Sequence, residues 1–192
     1  MAEVPALAVR AARPDDAEAI ADAHVRGWLA TYRGLVPDAI LDGLSVERRA
    51  SHWRDTISAE TTAAAPTTRT WVVEDGGAVQ GFASTGPIRD QSDGLPGAGE
   101  VLAIYLAPEA RGRGLGRTLF QHAVDDLQAR AFDPIVVWVF EANAGARRFY
   151  EAAGFQPDGA RQPVDFGEAS LPEIRYRLGR GPSALDGGPV QA

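Results

Sequence analysis

Cysteine is absent from the 192 residues, which removes disulfides, thiolate nucleophiles and Cys-based zinc sites together. Histidine is scarce, and His24, His52 and His122 show no ligand spacing, so no metal site is expected. The amino terminus, "MAEVPALAVRAARPDD", has neither a basic leader nor the apolar run of a signal peptide. No stretch reaches the roughly 18 apolar residues of a membrane span, and the reading is a cytoplasmic protein. There is no Gly-x-Ser-x-Gly nucleophile elbow and no internal repeat. Positive charge is outnumbered: 19 Lys plus Arg face 26 Asp plus Glu, a net charge of −7. A field of that sign repels nucleic acid and anionic membranes and favours cationic partners. No basic stripe beyond one arginine-bearing loop offsets it.

What remains is ordinary globular material, 45% hydrophobic and 23% charged, long enough for one domain with a substantial core. Residues 7–12 read as a first strand, and a helix follows near Pro14, with Ala17, Ile20, Ala21 and His24 on its apolar side. Pro37 and Gly43 punctuate two shorter helical pieces, the second starting at Ser45. Residues 58–70 read as a loop. "TWVVED" and "AVQGFASTG" make a hairpin about Gly76-Gly77, since a primed turn needs positive φ. Residues 87–99, rich in Gly, Pro and Asp, read as an exposed, mobile loop.

"EVLAIYL" (100–106) and "IVVWVF" (135–140) are nearly continuous apolar runs with a helix between them, the pattern of a parallel β-α-β unit. That helix, 117–130, puts Leu119, Phe120, Ala123, Val124 and Leu127 on one stripe, with Gln121, Asp125, Asp126 and Gln128 off it. A second helix, 144–153, has Asn143 as candidate cap and Gly154 as left-handed terminator. Two strands, 161–167 and 173–178, would close the sheet. Residues 179–192 have little to bury and read as a disordered tail.

The segment "LAPEARGRGLGRTLFQHAV" (106–124) joins strand to helix through Gly112, Gly114 and Gly116, flanked by Arg111, Arg113 and Arg117. A helix N-terminus offers unbonded N–H groups and partial positive charge, and glycine lets a phosphate approach the backbone. The same glycines could serve only a tight turn with solvated arginines. A dinucleotide fingerprint fails because Arg117 stands where its third glycine belongs. A Walker loop fails because Arg111 and Arg117 replace its first glycine and its lysine.

Arg-x-x-Gly-x-Gly does fit, as Arg111, Gly114 and Gly116. With "NAGARRFYEAAGF" (143–155) as a second signature, the chain resembles the GNAT superfamily of N-acetyltransferases. The resemblance is strong over 100–155, fair over the preceding strands and weak over 14–70. It implies an α/β (α+β) fold over residues 1–178, with a mixed sheet of about six to seven strands, about four helices and a parallel β-α-β core. It also implies acetyl-CoA as cosubstrate without a metal. The pyrophosphate would be held by the N–H groups of Gly112, Arg113, Gly114, Leu115, Gly116 and Arg117, beside Arg111. The pantetheine arm would pair as an extra strand with the main chain of Ile104, Tyr105 and Leu106.

Forming an amide from a thioester needs a neutral amine, a stabilised oxyanion and a proton for the departing thiolate. On helical pattern alone Tyr150 extends the stripe of Ala146 and Phe149, whereas the resemblance makes it the general acid. Asn143 is both cap and candidate cofactor ligand. Glu100 reads either as a strand-end charge or, by resemblance, as the general base, and the oxyanion donor would be a main-chain N–H near Ile104. Trp28, Tyr32 and Arg33 fall in the segment that lies beneath the acceptor in this family, and Trp53 and Tyr105 are candidates to join them. Asp90 and Asp93 offer an acidic rim for a cationic amine. The resulting expectation is direct transfer of an acetyl group to a small-molecule primary amine. A protein amino terminus or lysine is the second acceptor, and a non-catalytic acetyl-CoA sensor is the alternative. A homodimer is compatible with the exposed strands.

Overall fold

The computed structural model describes residues 7–89, 94–167 and 169–178. Its strands are β1 (Ala8–Ala11), β2 (Arg69–Asp75), β3 (Ala78–Pro87), β4 (Gly99–Leu106), β5 (Ile135–Phe140), β6 (Gln156–Phe166) and β7 (Ala169–Leu178). The helices are α1 (Ala17–Tyr32), α2 (Asp38–Asp42), α3 (Val46–Thr62), α4 (Leu115–Ala129) and α5 (Ala144–Ala152). The strands form one mixed sheet in the order β1-β2-β3-β4-β5-β7-β6. None of the described helices is long and apolar enough to cross a membrane.

Two apolar clusters cover opposite faces of the sheet. Ala17, Ile20 and Ala21 of α1 pack with Ala50, Trp53 and Ile57 of α3 against Val72 and Phe82. Leu119, Phe120, Ala123, Val124 and Leu127 of α4 pack with Val101, Val137, Tyr150, Phe155 and Tyr176. Burying each large side chain of this kind contributes about 1.5–3 kcal/mol. Both stripes follow the helical period that marks them in the sequence. The Gly76-Gly77 turn has φ of +61° and +80°, as a primed hairpin requires.

Several local expectations change. The segment 58–70 is not all loop: α3 continues to Thr62, where Thr61 and Thr62 hydroxyls donate back to the Ile57 and Ser58 carbonyls at 2.7 and 2.9 Å. Small polar residues are compatible with the outward side of a helix whose other side is held by Trp53 and Ile57. In the 87–99 segment, Ile88 and Ala98 are buried rather than exposed and pair through Ile88 N–H to the Ala98 carbonyl at 3.0 Å. Residues 90–93, with Asp90 and Asp93, lie outside the described residues, as does the tail 179–192. The last two strands begin earlier than their apolar content suggests, because β6 and β7 form a long hairpin. Asp126, off the apolar stripe of α4, is nonetheless buried. It accepts from Arg69 at 2.6 Å, Thr85 at 3.0 Å and Arg130 at 3.4 Å, partners that replace its lost hydration.

The feature that positions the site is a parting of the two parallel strands. β4 and β5 pair only at Gly99↔Ile135 and Glu100↔Val136. Immediately beyond, β3 and β4 shift register: Thr85 faces Val101 and Ser84 faces Ala103, leaving Leu102 as the extra residue. A bulge of this kind bends its strand. The remainder of β4 stays with β3, while Val137 to Phe140 pair with β7. The strands therefore open like a wedge.

Behind β4, the His24 ring stacks on Tyr105 with centroids 4.7 Å apart, and its Nδ1 accepts from the Trp53 indole at 3.4 Å. Burial, aided by the positive fields of Arg49 and His52, lowers its pKa from 6.5 to about 3. Between those values the unfolded imidazole binds a proton that the folded one refuses, so stability is lost as pH falls through this window. His24→Gln is expected to reduce the slope of unfolding free energy against pH by up to about 1.4 kcal/mol per pH unit, measurable by urea unfolding between neutral and mildly acidic pH.

Candidate active site

A cavity of about 700 Å³ fills the wedge. One wall is β4 from Val101 to Leu106, and the other is β5 from Val137 to Phe140. The unpaired side of β4 presents backbone polar groups that a folded protein normally satisfies by pairing. Here they border open space, so an extended ligand bearing amides could complete the ladder.

At the carboxyl end of β4 the cavity meets the glycine loop. Gly112 and Gly114 adopt φ of +74° and +83°, and an added Cβ on either would touch nothing within 4 Å. Their requirement for glycine is therefore conformational, and the space above them is free. Gly116 differs: a Cβ there would lie 3.1 Å from Leu106 Cδ1, so this glycine lets α4 approach β4 closely. No side chain caps α4 at Gly114, which leaves its first-turn N–H groups available to a bound anion. Arg111 and Arg117 line the same opening. Arg111 is held there by donation to the Thr31 hydroxyl at 2.9 Å and the Gly27 carbonyl at 3.2 Å.

Across the wedge, Asn143 caps α5 by accepting from the Ala146 N–H at 3.0 Å and also lines the cavity. Two turns further on, Tyr150 is buried against Phe120 and Phe149, with ring centroids at 5.3 and 5.5 Å, yet it too borders the cavity. Burial raises its pKa, with Tyr32 and Glu173 adding to the effect, so the phenol stays in its proton-bearing form.

Other sequence candidates are placed differently. Glu100 is fully buried and is not among the residues bordering the cavity. Its Oε1 accepts from Arg89 Nε at 3.0 Å and Nη2 at 2.5 Å, and its Oε2 accepts from the Arg89 backbone N–H at 3.0 Å. Arg33 is exposed and paired with Asp38 and Asp42. Arg113 turns outward to Asp75, and the Leu115 side chain is buried in the core. Trp28 stands behind Tyr32, edge to face at 4.9 Å, and Trp53 packs into the core against Phe82 at 4.8 Å. Of the aromatic candidates, Tyr32 and Tyr105 border the cavity.

Two charged bordering residues were not among the candidates, Arg89 and Glu173. Glu173 reaches the wedge because β7 pairs it with Phe140, the last residue of β5. Its carboxylate accepts from the Gln162 amide at 3.1 Å. Burial raises its pKa against the opposing effects of Gln162 and Arg89, with Glu100 adding to the rise.

A splayed parallel pair, a glycine loop at a helix start and a tyrosine one helix away form a recognisable combination. Residues 28–155 match the Acetyltransferase (GNAT) family. The chain belongs to this family. The acetyltransferase YuaI of Bacillus subtilis, itself described as uncharacterized, is 33% identical over 146 residues, covering 76% of this chain and 78% of its own. Among solved structures, the PaiA N-acetyltransferase of Thermoplasma acidophilum, determined with coenzyme A, superposes with a TM-score of 0.70 at 16% identity. That match covers 91% of this chain and all of PaiA (100%). YncA of Salmonella typhimurium, determined with acetyl-CoA, gives 0.67 at 25% identity, covering 96% of this chain and 100% of its own. The GNAT fold expected from the signatures is thus the fold observed, and the protein is an acyltransferase of this family.

In this GNAT chain the Asn143 cap has a stability role separable from any ligand. Asn143→Ala is expected to cost about 1 kcal/mol, read as a lowered urea midpoint with unchanged m-value.

Proposed function

We propose that this GNAT enzyme transfers the acetyl group of acetyl-CoA directly to the primary amine of a small molecule. The observation that carries the reading is the continuity of one cavity. Its lining includes the glycine loop, the unpaired side of β4, and Tyr150, Tyr32 and Glu173, the last two close enough to act on the Tyr150 phenol. A pyrophosphate fits the first-turn N–H groups of α4 with Arg111 and Arg117, and an amide-bearing arm fits the main chain of Ile104 to Leu106. About 700 Å³ shared between that arm and the acceptor leaves room for a small amine.

Tyr150 and Glu173 suit the chemistry. Glu173 takes a proton from the acceptor, whose free nitrogen then attacks the thioester carbonyl carbon. A main-chain N–H near Ile104 stabilises the oxyanion while the C–N bond forms. As the C–S bond breaks, Tyr150 gives its proton to the departing sulfur, and the second nitrogen proton, made acidic by the new C–N bond, leaves to the Tyr150 phenolate or to water, which gives the neutral amide. Glu173 replaces Glu100 as base in this proposal because Glu173 borders the cavity and both oxygens of Glu100 are engaged by Arg89. The raised pKa of Glu173 suits a base, since it brings proton affinity toward neutral pH.

Thiol release from acetyl-CoA, followed with a thiol-reactive dye, tests the reading cleanly because the protein has no cysteine of its own. Acceptor-dependent release is expected, and acetyl-CoA binding without turnover of any amine would overturn it. Tyr150→Phe should lower kcat by about 10²–10³-fold, or about 3–4 kcal/mol, with acetyl-CoA affinity changed less than about 2-fold. Gly114→Val, strained at positive φ, should instead weaken acetyl-CoA binding first. Deprotonated Glu173 is the active form, so kcat/KM should fall as pH drops through a pKa above the usual carboxylate range. Glu173→Gln should flatten that acid limb and cost about 10²-fold or more in rate.

A further inference from the structure

Two opposite charges, Arg89 and Glu173, border the cavity and act on each other electrostatically. Among the described residues, the Glu173 carboxylate accepts a hydrogen bond from the Gln162 amide alone. The Arg89 side chain is 61% exposed above a Glu100 that is wholly buried. Glu100 engages Arg89 through Nε, Nη2 and the backbone N–H. Among the described residues, Nη1 has no partner. A guanidinium is a planar fork, and fixing one side of it points the other. Burying a carboxylate is costly unless it is fully paired, and here the buried carboxylate serves to aim a cation whose remaining donors face open space.

We infer that the acceptor is a small amino carboxylate, its amine beside Glu173 and its carboxylate on the free face of Arg89. The inference rests on the acetyltransfer reading and names its substrate class. Charge distinguishes this class from other amines. A polyamine would bring a second cation against Arg89, which repels it. A plain monoamine would leave the exposed Arg89 donors to water and forgo the charge-assisted pair that a carboxylate makes with a guanidinium. A zwitterion matches both groups at once, and the aromatic walls of Tyr32 and Phe140 restrict it to a short side chain.

Matched acceptors test the point: small amino acids against their carboxamides and their decarboxylated amines, assayed by thiol release from acetyl-CoA. The amino acids should have kcat/KM at least about 100-fold above their matched analogues, because a site built around a polar partner discriminates strongly against its loss. Arg89→Gln alone would strand the buried Glu100 charge, so the informative variant is Arg89→Gln with Glu100→Gln, which keeps a neutral hydrogen-bonded pair. It should abolish the preference, chiefly through the acceptor KM, while the carboxamides change less than about 3-fold. Arg89→Lys should retain part of the preference.

Equal turnover of amino acids and their analogues would overturn the inference. So would an equal loss with both acceptor types in the double variant, which would show that the pair only holds the 87–99 segment. If calorimetry showed acetyl-CoA bound and only acceptors without a carboxylate reacted, the acceptor class would fall and the transferase reading would stand. Failure to bind acetyl-CoA would remove both.

Discussion

Two ladder pairs between β4 and β5, followed by divergence, are the constraint on which the rest of the structure depends. Had the strands stayed paired, the parallel ladder would have closed and β4 would have been an ordinary interior strand with its polar groups satisfied. The Leu102 bulge bends β4 away, and β5 compensates by pairing with β7. The cost of leaving one side of β4 unpaired is tolerable because that side faces a cavity where water or a ligand can satisfy it. The candidate site is therefore an interruption of the sheet.

The surrounding elements follow from that opening. The glycine loop places the start of α4 at one end of the wedge, and Gly116 lets the helix lie within close contact of Leu106. Asn143 starts α5 on the other wall, so that Tyr150 arrives two turns later bordering the same space. Behind β4, His24, Trp53, Phe82 and Tyr105 form a packed aromatic layer. That layer stiffens the wall against which an extended ligand would lie.

Charge is used in two ways within a few residues. Around the loop, arginines stand near a helix start and attract anions. Elsewhere on the cavity wall, Glu100 holds Arg89 while Glu173 remains half-buried with its proton affinity raised. The two carboxylates have the same ionisable group and different surroundings. One is saturated by a guanidinium, and the other borders open volume.

Local rules made much of this legible in sequence. The α4 stripe, the glycine turn, the Ser45 and Asn143 caps and the apolar β4 and β5 runs are set by residues close along the chain, where periodicity and capping act. They sufficed for most of the elements, the two signatures added the GNAT fold by resemblance, and Arg111, Gly112, Gly114, Gly116, Arg117 and Asn143 among the proposed cofactor ligands border the cavity. The acceptor half depended on partners far apart in sequence. Glu173 enters the cavity through β7 pairing with β5 across more than thirty residues, and Glu100 is diverted by Arg89 from across the 87–99 segment. Asp126 looked like a surface charge until Arg69 and Thr85 arrived from other strands. A carboxylate carries no local mark of whether it will be exposed, paired or poised, because that is decided by which distant groups the fold brings against it.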